Sequence, residues 1–233
     1  MARCACVTPR AVLFDVDFTL CRPGPELSAE RYARVAARHG IKLDVSCYDA
    51  AREAAVLDLK RHPELLHDET IWHAFTQDIF LRMGGPKEIA SECAAEIERG
   101  WEESANFELY EDVFPVLDEL RAHSLKLGLV SNGIRDLSEF VAHHRLDVDA
   151  IVDSRSHGWV KPHPTIFQAA LERLGVAAGE AVMVGDSPAE DVDGARAIGM
   201  RGILVDRNGR YPEVEERLTD LYALPAALGL VLS

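Results

Sequence analysis

Four short stretches of this sequence concentrate residues that can do chemistry. The first is Asp15-Val16-Asp17-Phe18-Thr19, directly after the apolar run Ala11-Val12-Leu13-Phe14. In an extended segment Asp15 and Asp17 project to one side while Val16 points the other way. Two carboxylates that close repel unless a cation or a shared proton offsets them. The second stretch is Ser131-Asn132-Gly133, where a hydroxyl and the backbone N–H groups of a glycine turn can cradle an anion. The third is Val160-Lys161-Pro162, with Lys161 a positive charge just ahead of a helix. The fourth is Gly185-Asp186-Ser187-Pro188-Ala189-Glu190-Asp191. There Gly185 permits close backbone approach, Asp186 projects from a strand end, and Asp191 falls one helical turn later. Taken singly, each stretch has an ordinary structural reading as a turn, a common loop, a solvated helix start or a helix cap. Their meaning depends on whether the fold brings them together.

The elements that would do so are legible from hydrophobic spacing. Residues 11–16 form a short apolar run with β-branched and aromatic members, which predicts a buried strand. Beyond residue 106 the pattern alternates. Helices are predicted at 113–123, 136–144, 165–174 and 189–198, and strands at 125–130, 150–152, 181–184 and 202–205. Strands alternating with helices of this length indicate βαβ units and a parallel sheet, with right-handed crossovers placing helices on both faces. An amphipathic segment at 218–228 closes the chain.

Residues 27–101 read differently. Tyr32, Val35 and Ala36 mark one helical face closed by Gly40, and Ser46 followed by Asp49 reads as the start of a second helix with Val56 and Leu59 inward. Ile71, Phe75, Ile79 and Met83 mark a third, ended by Gly84-Gly85-Pro86. Pro86 suits the first turn of a fourth carrying Ile89, Cys93, Ile97 and Trp101. The chain therefore divides into an α/β core of residues 1–19 and 106–233 and a helical insert of residues 20–105. An insert at the carboxyl end of a strand lies over the crevice where open parallel sheets bind ligands, so it is a candidate cap.

All four chemical stretches fall at strand ends of one such sheet, and strand ends of that kind converge on one crevice. Convergence gives carboxylates for a divalent cation, a hydroxyl and backbone donors for phosphate, and one lysine. Hard oxygen ligands suit Mg²⁺, which often binds through one or two carboxylates plus a substrate phosphate.

In this order the four stretches resemble the motifs of the haloacid dehalogenase-like hydrolase superfamily, in the branch with a helical cap inserted after the first motif. The resemblance spans essentially the whole chain. One departure is Phe18, where many members carry Gly. The resemblance implies a parallel-sheet, Rossmann-like core with an inserted helical cap. It also implies an aspartyl-phosphate mechanism with Asp15 as nucleophile and Asp17 as general acid and base. Thr19, Ser131, Asn132 and Lys161 would serve the phosphoryl group, with Thr19 orienting the loop and Lys161 also offsetting charge on Asp15. Mg²⁺ would be held by Asp15, the Asp17 carbonyl oxygen and Asp186, with Asp191 a supporting partner, to Lys161 for instance. The superfamily's dehalogenases lack the second Asp, so Asp17 points to phosphoryl transfer. The expectation is a Mg²⁺-dependent phosphatase acting on a small phosphorylated metabolite. A phosphomutase on the same core, or a catalytically silent binding protein, are the alternatives.

Composition bounds the partners. Acidic residues outnumber basic ones 39 to 25, for a net charge of −14. That argues against a broad nucleic-acid surface or docking on anionic lipid. No run approaches the ~20 apolar residues of a membrane span, and the N-terminus lacks the pattern of a signal peptide. Five cysteines, Cys4, Cys6, Cys21, Cys47 and Cys93, match neither a disulfide framework nor a zinc ribbon. A cytoplasmic protein is expected, monomeric or homodimeric. His143, His144, His157 and His163 lack a metal-binding spacing, and Trp159 is expected to pack near Lys161.

Overall fold

The computed structural model describes residues 9–59 and 65–230. Its strands are β1 (Ala11–Phe14), β2 (Cys21–Pro23), β3 (Phe107–Leu109), β4 (Lys126–Ser131), β5 (Ala150–Asp153), β6 (Ala181–Gly185), β7 (Arg201–Val205) and β8 (Arg217–Leu218). Its helices are α1 (Ala29–Arg38), α2 (Tyr48–Leu59), α3 (Glu69–Arg82), α4 (Lys87–Glu102), α5 (Val113–Ala122), α6 (Leu137–His144), α7 (Ser154–His157), α8 (Pro164–Leu174), α9 (Gly194–Ala197) and α10 (Leu224–Ala227).

Six strands form one sheet in the order β5-β4-β1-β6-β7-β8, with parallel pairing throughout. This is the α/β parallel-sheet core expected from the sequence. β1 lies in the middle, with Phe14 level with Leu129 of β4 and Val184 of β6. All four of its residues are buried, as a strand covered on both faces requires. The chain reaches β4 on one side of β1 and β6 on the other. The strand order therefore reverses direction at β1, which opens a crevice at the carboxyl ends of these three strands. One face of the sheet packs on α8 through Ile166, Phe167, Ala170 and Leu174 against Leu13, Val130 and Met183.

The chain separates into two compact units. One comprises residues 1–22, 109–133 and 137–233; the other comprises residues 23–108 and 134–136. The second unit is built on α1 to α4. Its core joins Tyr32, Val35, Ala36, Phe75, Ile79, Met83, Cys93 and Ile97, residues whose spacing marks the helical faces, with Phe80, which that spacing did not pick out; Ile89 and Trp101 pack against it only partly buried. Gly85 turns tightly enough that a β-carbon there would lie 2.1 Å from the Phe80 ring. The two-stranded ribbon β2–β3 lies where the chain passes between the units. Among the described residues no helix is long and apolar enough to cross a membrane.

Several local expectations are revised. The first strand ends at Phe14 rather than residue 16, because the Val16 carbonyl oxygen is taken by the N–H groups of Leu20 and Cys21 as the chain turns. The second helix is preceded by a 3₁₀ turn whose cap is Asp44, which accepts from the Ser46 N–H; Ser46 is not the cap. On α2, Ala51 and Ala55 are buried and Val56 packs beside them; the Leu59 side chain lies outside the described residues. The helix expected at 189–198 begins as a π-helical turn, Pro188–Asp193, and only then becomes α9. The segment 218–228 yields α10 alone. Arg217 and Leu218 instead add β8 to the sheet edge, a strand too short to leave a pattern.

Candidate active site

The site is built at the carboxyl edge of β1, β4 and β6. Asp15 is the first residue beyond β1, and its N–H donates to the Val184 carbonyl oxygen at 2.9 Å, which carries the strand geometry one residue further. The residue is 6% exposed, and both carboxylate oxygens are engaged. Lys161 Nζ donates to Oδ1 at 2.5 Å, and the Thr19 hydroxyl donates to Oδ2 at 3.0 Å. Lys161, 2% exposed, also donates to Asp191 Oδ1 at 2.7 Å. Asp191 Oδ2 accepts from the Ser187 N–H at 3.0 Å.

Local sequence explains how Asp191 reaches this position. A β-carbon on residue 185 would lie 2.2 Å from the Asp191 carboxylate, so only glycine leaves room. The π-helical turn following Pro188 presents Asp191 against that gap; such turns recur at functional sites.

A buried lysine facing two buried carboxylates is costly to assemble, and it survives because its ammonium is hydrogen-bonded on both sides. Burial pushes the Asp15 carboxyl up to about 7, against the pull of Lys161, with Asp191 and Asp17 adding to the rise. Burial alone would lower the Lys161 ammonium, but Asp15 and Asp191 outweigh it and hold the group protonated well above the ordinary lysine range.

The donor set has room for a cation. Asp15, Asp186 and Asp191 each offer an oxygen within 4.8 Å of the others. Asp17 is close enough to add its charge to that felt by Asp15. Asp15 and Asp186 fit as ligands. Asp191, bonded to Lys161 and to the Ser187 N–H, also fits as the partner that steadies the lysine.

Asn132 acts through its side chain. Its Oδ1 accepts from the Lys161 N–H at 2.7 Å, and its Nδ2 donates to the Lys161 carbonyl oxygen at 3.1 Å and to Glu190 Oε2 at 3.2 Å. This two-way bond ties the end of β4 to Lys161, whose peptide bond to Pro162 is cis. A phosphate contact from this residue would come from its backbone. Ser131 is 4% exposed and its Oγ accepts from the Gly133 N–H at 3.2 Å, leaving the hydroxyl hydrogen to donate. Thr19 is fully buried with its hydroxyl hydrogen directed at Asp15; its task here is to hold the carboxylate. Asp17 is partly exposed and its Oδ1 accepts from the Cys21 thiol.

A model of the family described as haloacid dehalogenase-like hydrolase matches residues 9–199. The chain belongs to that family. It is 33% identical over 223 residues to a glyceraldehyde 3-phosphate phosphatase of Methanopyrus kandleri, covering 91% of this chain and 89% of that protein. It is 40% identical over 144 residues to a phosphoserine phosphatase of Thermus thermophilus, covering 59% of this chain and 55% of that protein. The chain thus spans about half the length of the latter relative. A crystal structure described as an HAD phosphatase from Thermococcus onnurineus superimposes with a TM-score of 0.64 at 29% identity, covering 94% of this chain and 98% of that one.

Within this family member, the structure brings Asp15, Thr19, Lys161, Asp186 and Asp191 into one cluster, with Asn132 tied to Lys161. Two features escaped sequence reasoning. The first is the bond from Asn132 to Glu190, which joins the second stretch to the fourth across 58 positions of sequence; no local pattern announces it. The second is Trp159, which stacks on His163 with ring centroids 4.0 Å apart.

Proposed function

We propose that this chain is a Mg²⁺-dependent phosphatase that hydrolyses a small phosphorylated metabolite through an aspartyl-phosphate on Asp15. The observation that carries the reading is the Asp15 carboxylate: buried, held from both sides by Lys161 and Thr19, and sharing a 4.8 Å cluster with Asp186 and Asp191. The phosphatase names of two relatives support the same class.

The oxygens of Asp15 and Asp186, with the Asp17 carbonyl oxygen, would hold the metal. Bound there, Mg²⁺ supplies positive charge that lets the carboxylates and a phosphate dianion share one site. Asp15 is the nucleophile. A carboxylate oxygen attacks phosphorus, forming an acyl phosphate and dividing one hard displacement into two easier ones. The Thr19 hydrogen bond fixes which oxygen faces the substrate. Lys161 balances charge on Asp15 and the transferring group in a dry pocket, where a fixed ammonium is most effective. The Ser131 hydroxyl and the Asn132 backbone N–H receive the phosphoryl oxygens. Asp17, more open than Asp15, gives a proton to the departing alkoxide and then takes one from the water that hydrolyses the intermediate. A halide leaving group has no use for that proton, so Asp17 favours phosphate esters. Residues 20–105 are proposed to act as the cap that selects the metabolite.

The test is phosphate release from a panel of phosphosugars, phosphorylated hydroxy acids and nucleotides, with Mg²⁺ and with chelator. The reading expects Mg²⁺-dependent release that Asp15→Asn abolishes while the variant stays folded. No release from any phosphoester in the presence of Mg²⁺ would overturn it. Transfer to a second hydroxyl without net release would identify a mutase.

A further inference from the structure

The turn that follows Asp15 is held in an unfavourable backbone conformation by groups distant in sequence. Phe18 has φ of +64°, in the left-handed region that side chains larger than glycine rarely adopt. Its N–H donates to the Cys21 carbonyl oxygen at 2.7 Å. The next residue, Thr19, is the one whose hydroxyl orients Asp15. A conformation of this kind persists only when its surroundings over-determine it.

Those surroundings centre on Arg207, in the loop after β7 at the same edge of the sheet. Arg207 Nη2 donates to the Thr19 carbonyl oxygen at 2.8 Å, with Nε at 3.3 Å. The rest of the fork grips Asp112, with Nη1 to Oδ2 at 2.8 Å and Nη2 to Oδ1 at 2.9 Å. Asp112 is 1% exposed and also accepts from the Leu221 N–H at 2.8 Å. The guanidinium lies over the Tyr110 ring, 3.8 Å from its centroid, and the Tyr110 N–H donates to the Leu20 carbonyl oxygen at 3.0 Å. The loop carrying Arg207 is itself fastened. Asp206 accepts from the N–H groups of Arg210 and Tyr211 and from Arg217.

We infer that Arg207 is a positioning residue for the reaction at Asp15: by clamping the Thr19 carbonyl against Asp112 it fixes the left-handed turn at Phe18 and so aims the Thr19 hydroxyl at the nucleophile. The inference rests on the reading of Asp15 as nucleophile. The chemistry suits arginine specifically. A planar fork grips a carboxylate with two donors while another N–H holds a carbonyl, which a single ammonium cannot reproduce with the same rigidity. Arg207 bonds the Thr19 carbonyl oxygen directly, one residue from the turn and on the residue whose hydroxyl holds Asp15, so its effect is carried to the nucleophile through Thr19.

The experiment measures steady-state hydrolysis of p-nitrophenyl phosphate with Mg²⁺ by the full chain, well below each variant's melting temperature. The variants are Arg207→Ala, Arg207→Lys, Thr19→Val, Thr19→Val with Arg207→Ala, and Arg217→Gln. Arg207→Lys keeps a cation beside buried Asp112 and carries the test if Arg207→Ala does not fold. Misplacing a reacting group by a fraction of an ångström is expected to lower kcat by about ten- to a hundredfold, with KM within about threefold of wild type. Arg207→Lys should recover only part of the loss. In the Thr19→Val background, loss of Arg207 should change kcat by less than about threefold, because the hydroxyl it aims is gone. Arg217→Gln removes one bond to Asp206 and leaves the Arg210 and Tyr211 N–H groups to hold the loop, so kcat should fall by less than about threefold, well short of the loss in Arg207→Lys. An unchanged kcat in Arg207→Lys and Arg207→Ala, independent multiplicative losses with Thr19→Val, or an equal loss in Arg217→Gln would each overturn the inference. Asp15→Asn run in parallel separates the two levels. If it stays active, the nucleophile assignment fails; if it is inactive while Arg207 variants match wild type, only the clamp fails.

Discussion

The two units handle charge differently. In the helical unit the core is apolar, built from residues such as Tyr32, Phe75, Ile79, Phe80 and Ile97. Many of its charges pair near the surface, as Arg82 does with Asp78 and Asp58 and Arg34 with Glu26, while Arg135 is buried with its guanidinium over the Phe107 ring. The α/β unit instead buries Asp15, Lys161, Asp191, Asp112 and Asp206. Burying charge is unfavourable unless every group is paired and hydrogen-bonded, and a well-packed apolar cluster would serve stability as well. The helical unit uses the cheaper solution. That the α/β unit does not, at one edge of its sheet, marks the edge as a place shaped by chemistry rather than by folding.

That contrast can be broken most severely at Lys161. Replacing it with Met leaves Asp15 and Asp191 facing each other without a cation. Chemical denaturation is expected to show a loss of about 3–5 kcal/mol, together with loss of phosphate release. A neutral effect on stability would mean the triad is not the buried network described.

Proton linkage sharpens the comparison inside the α/β unit. The Asp15 carboxyl lies at about 7 when folded, above its ordinary 3.8. The folded state therefore binds more protons than the unfolded one between those values, and the stability this group contributes is lost as pH rises toward 7. Asp206 runs the other way. Despite the upward push of burial, the N–H groups of Tyr211 and Arg210 and the Arg217 guanidinium hold it below the usual carboxylate range. Its contribution is present above the unfolded value and lost as pH falls through the folded one. Denaturation of wild type against Asp15→Asn from pH 4 to 8 should show the wild type losing ground at up to about 1.4 kcal/mol per pH unit. Mg²⁺ should reverse that trend. Asp206→Asn should converge on wild type only at the acid end.

A smaller effect is expected at Gly185. Alanine there collides with the Asp191 carboxylate and should cost about 1–3 kcal/mol, with a fall in kcat because Lys161 loses its support. Thermal unfolding and turnover measured together test this, and an unperturbed kcat would argue that Asp191 does not steady the lysine. The smallest effect belongs to the helical unit. Arg82→Ala removes two exposed ion pairs and should change stability by less than about 1 kcal/mol with no effect on the pKa of Asp15.

The strands that carry the site were legible because buried parallel strands read as short apolar runs. Ala11–Phe14 and Ala181–Gly185 could hardly be anything else. Asp15 and Asp186 could be placed because they directly follow β1 and β6, and strand ends of one sheet must meet; Lys161 instead follows α7, and Asp191 sits within the π-helical turn, so both were legible only through the family resemblance. What the sequence concealed was what each neighbour does. Asn132 bonds Lys161 through its side chain, and Thr19 bonds Asp15. Both choices depend on distances of a few tenths of an ångström set by packing far away in sequence. The strained turn at Phe18 was visible only as a bulky residue where a smaller one is common. The π-helical turn at Pro188–Asp193 has no periodic signature, since six residues are too few to separate it from an α-helical start. The 3₁₀ turn capped by Asp44 hid for the same reason.

The central claim is that Asp15 takes the phosphoryl group onto its own carboxylate. Rapid acid quenching during turnover of a phosphoester labelled at phosphorus, followed by peptide mapping, tests it directly. The account predicts label on the peptide containing Asp15, released by hydroxylamine as an acyl phosphate is, and missing from Asp15→Asn. Steady phosphate release with no covalent label at any quench time, or label on a different residue, would contradict it.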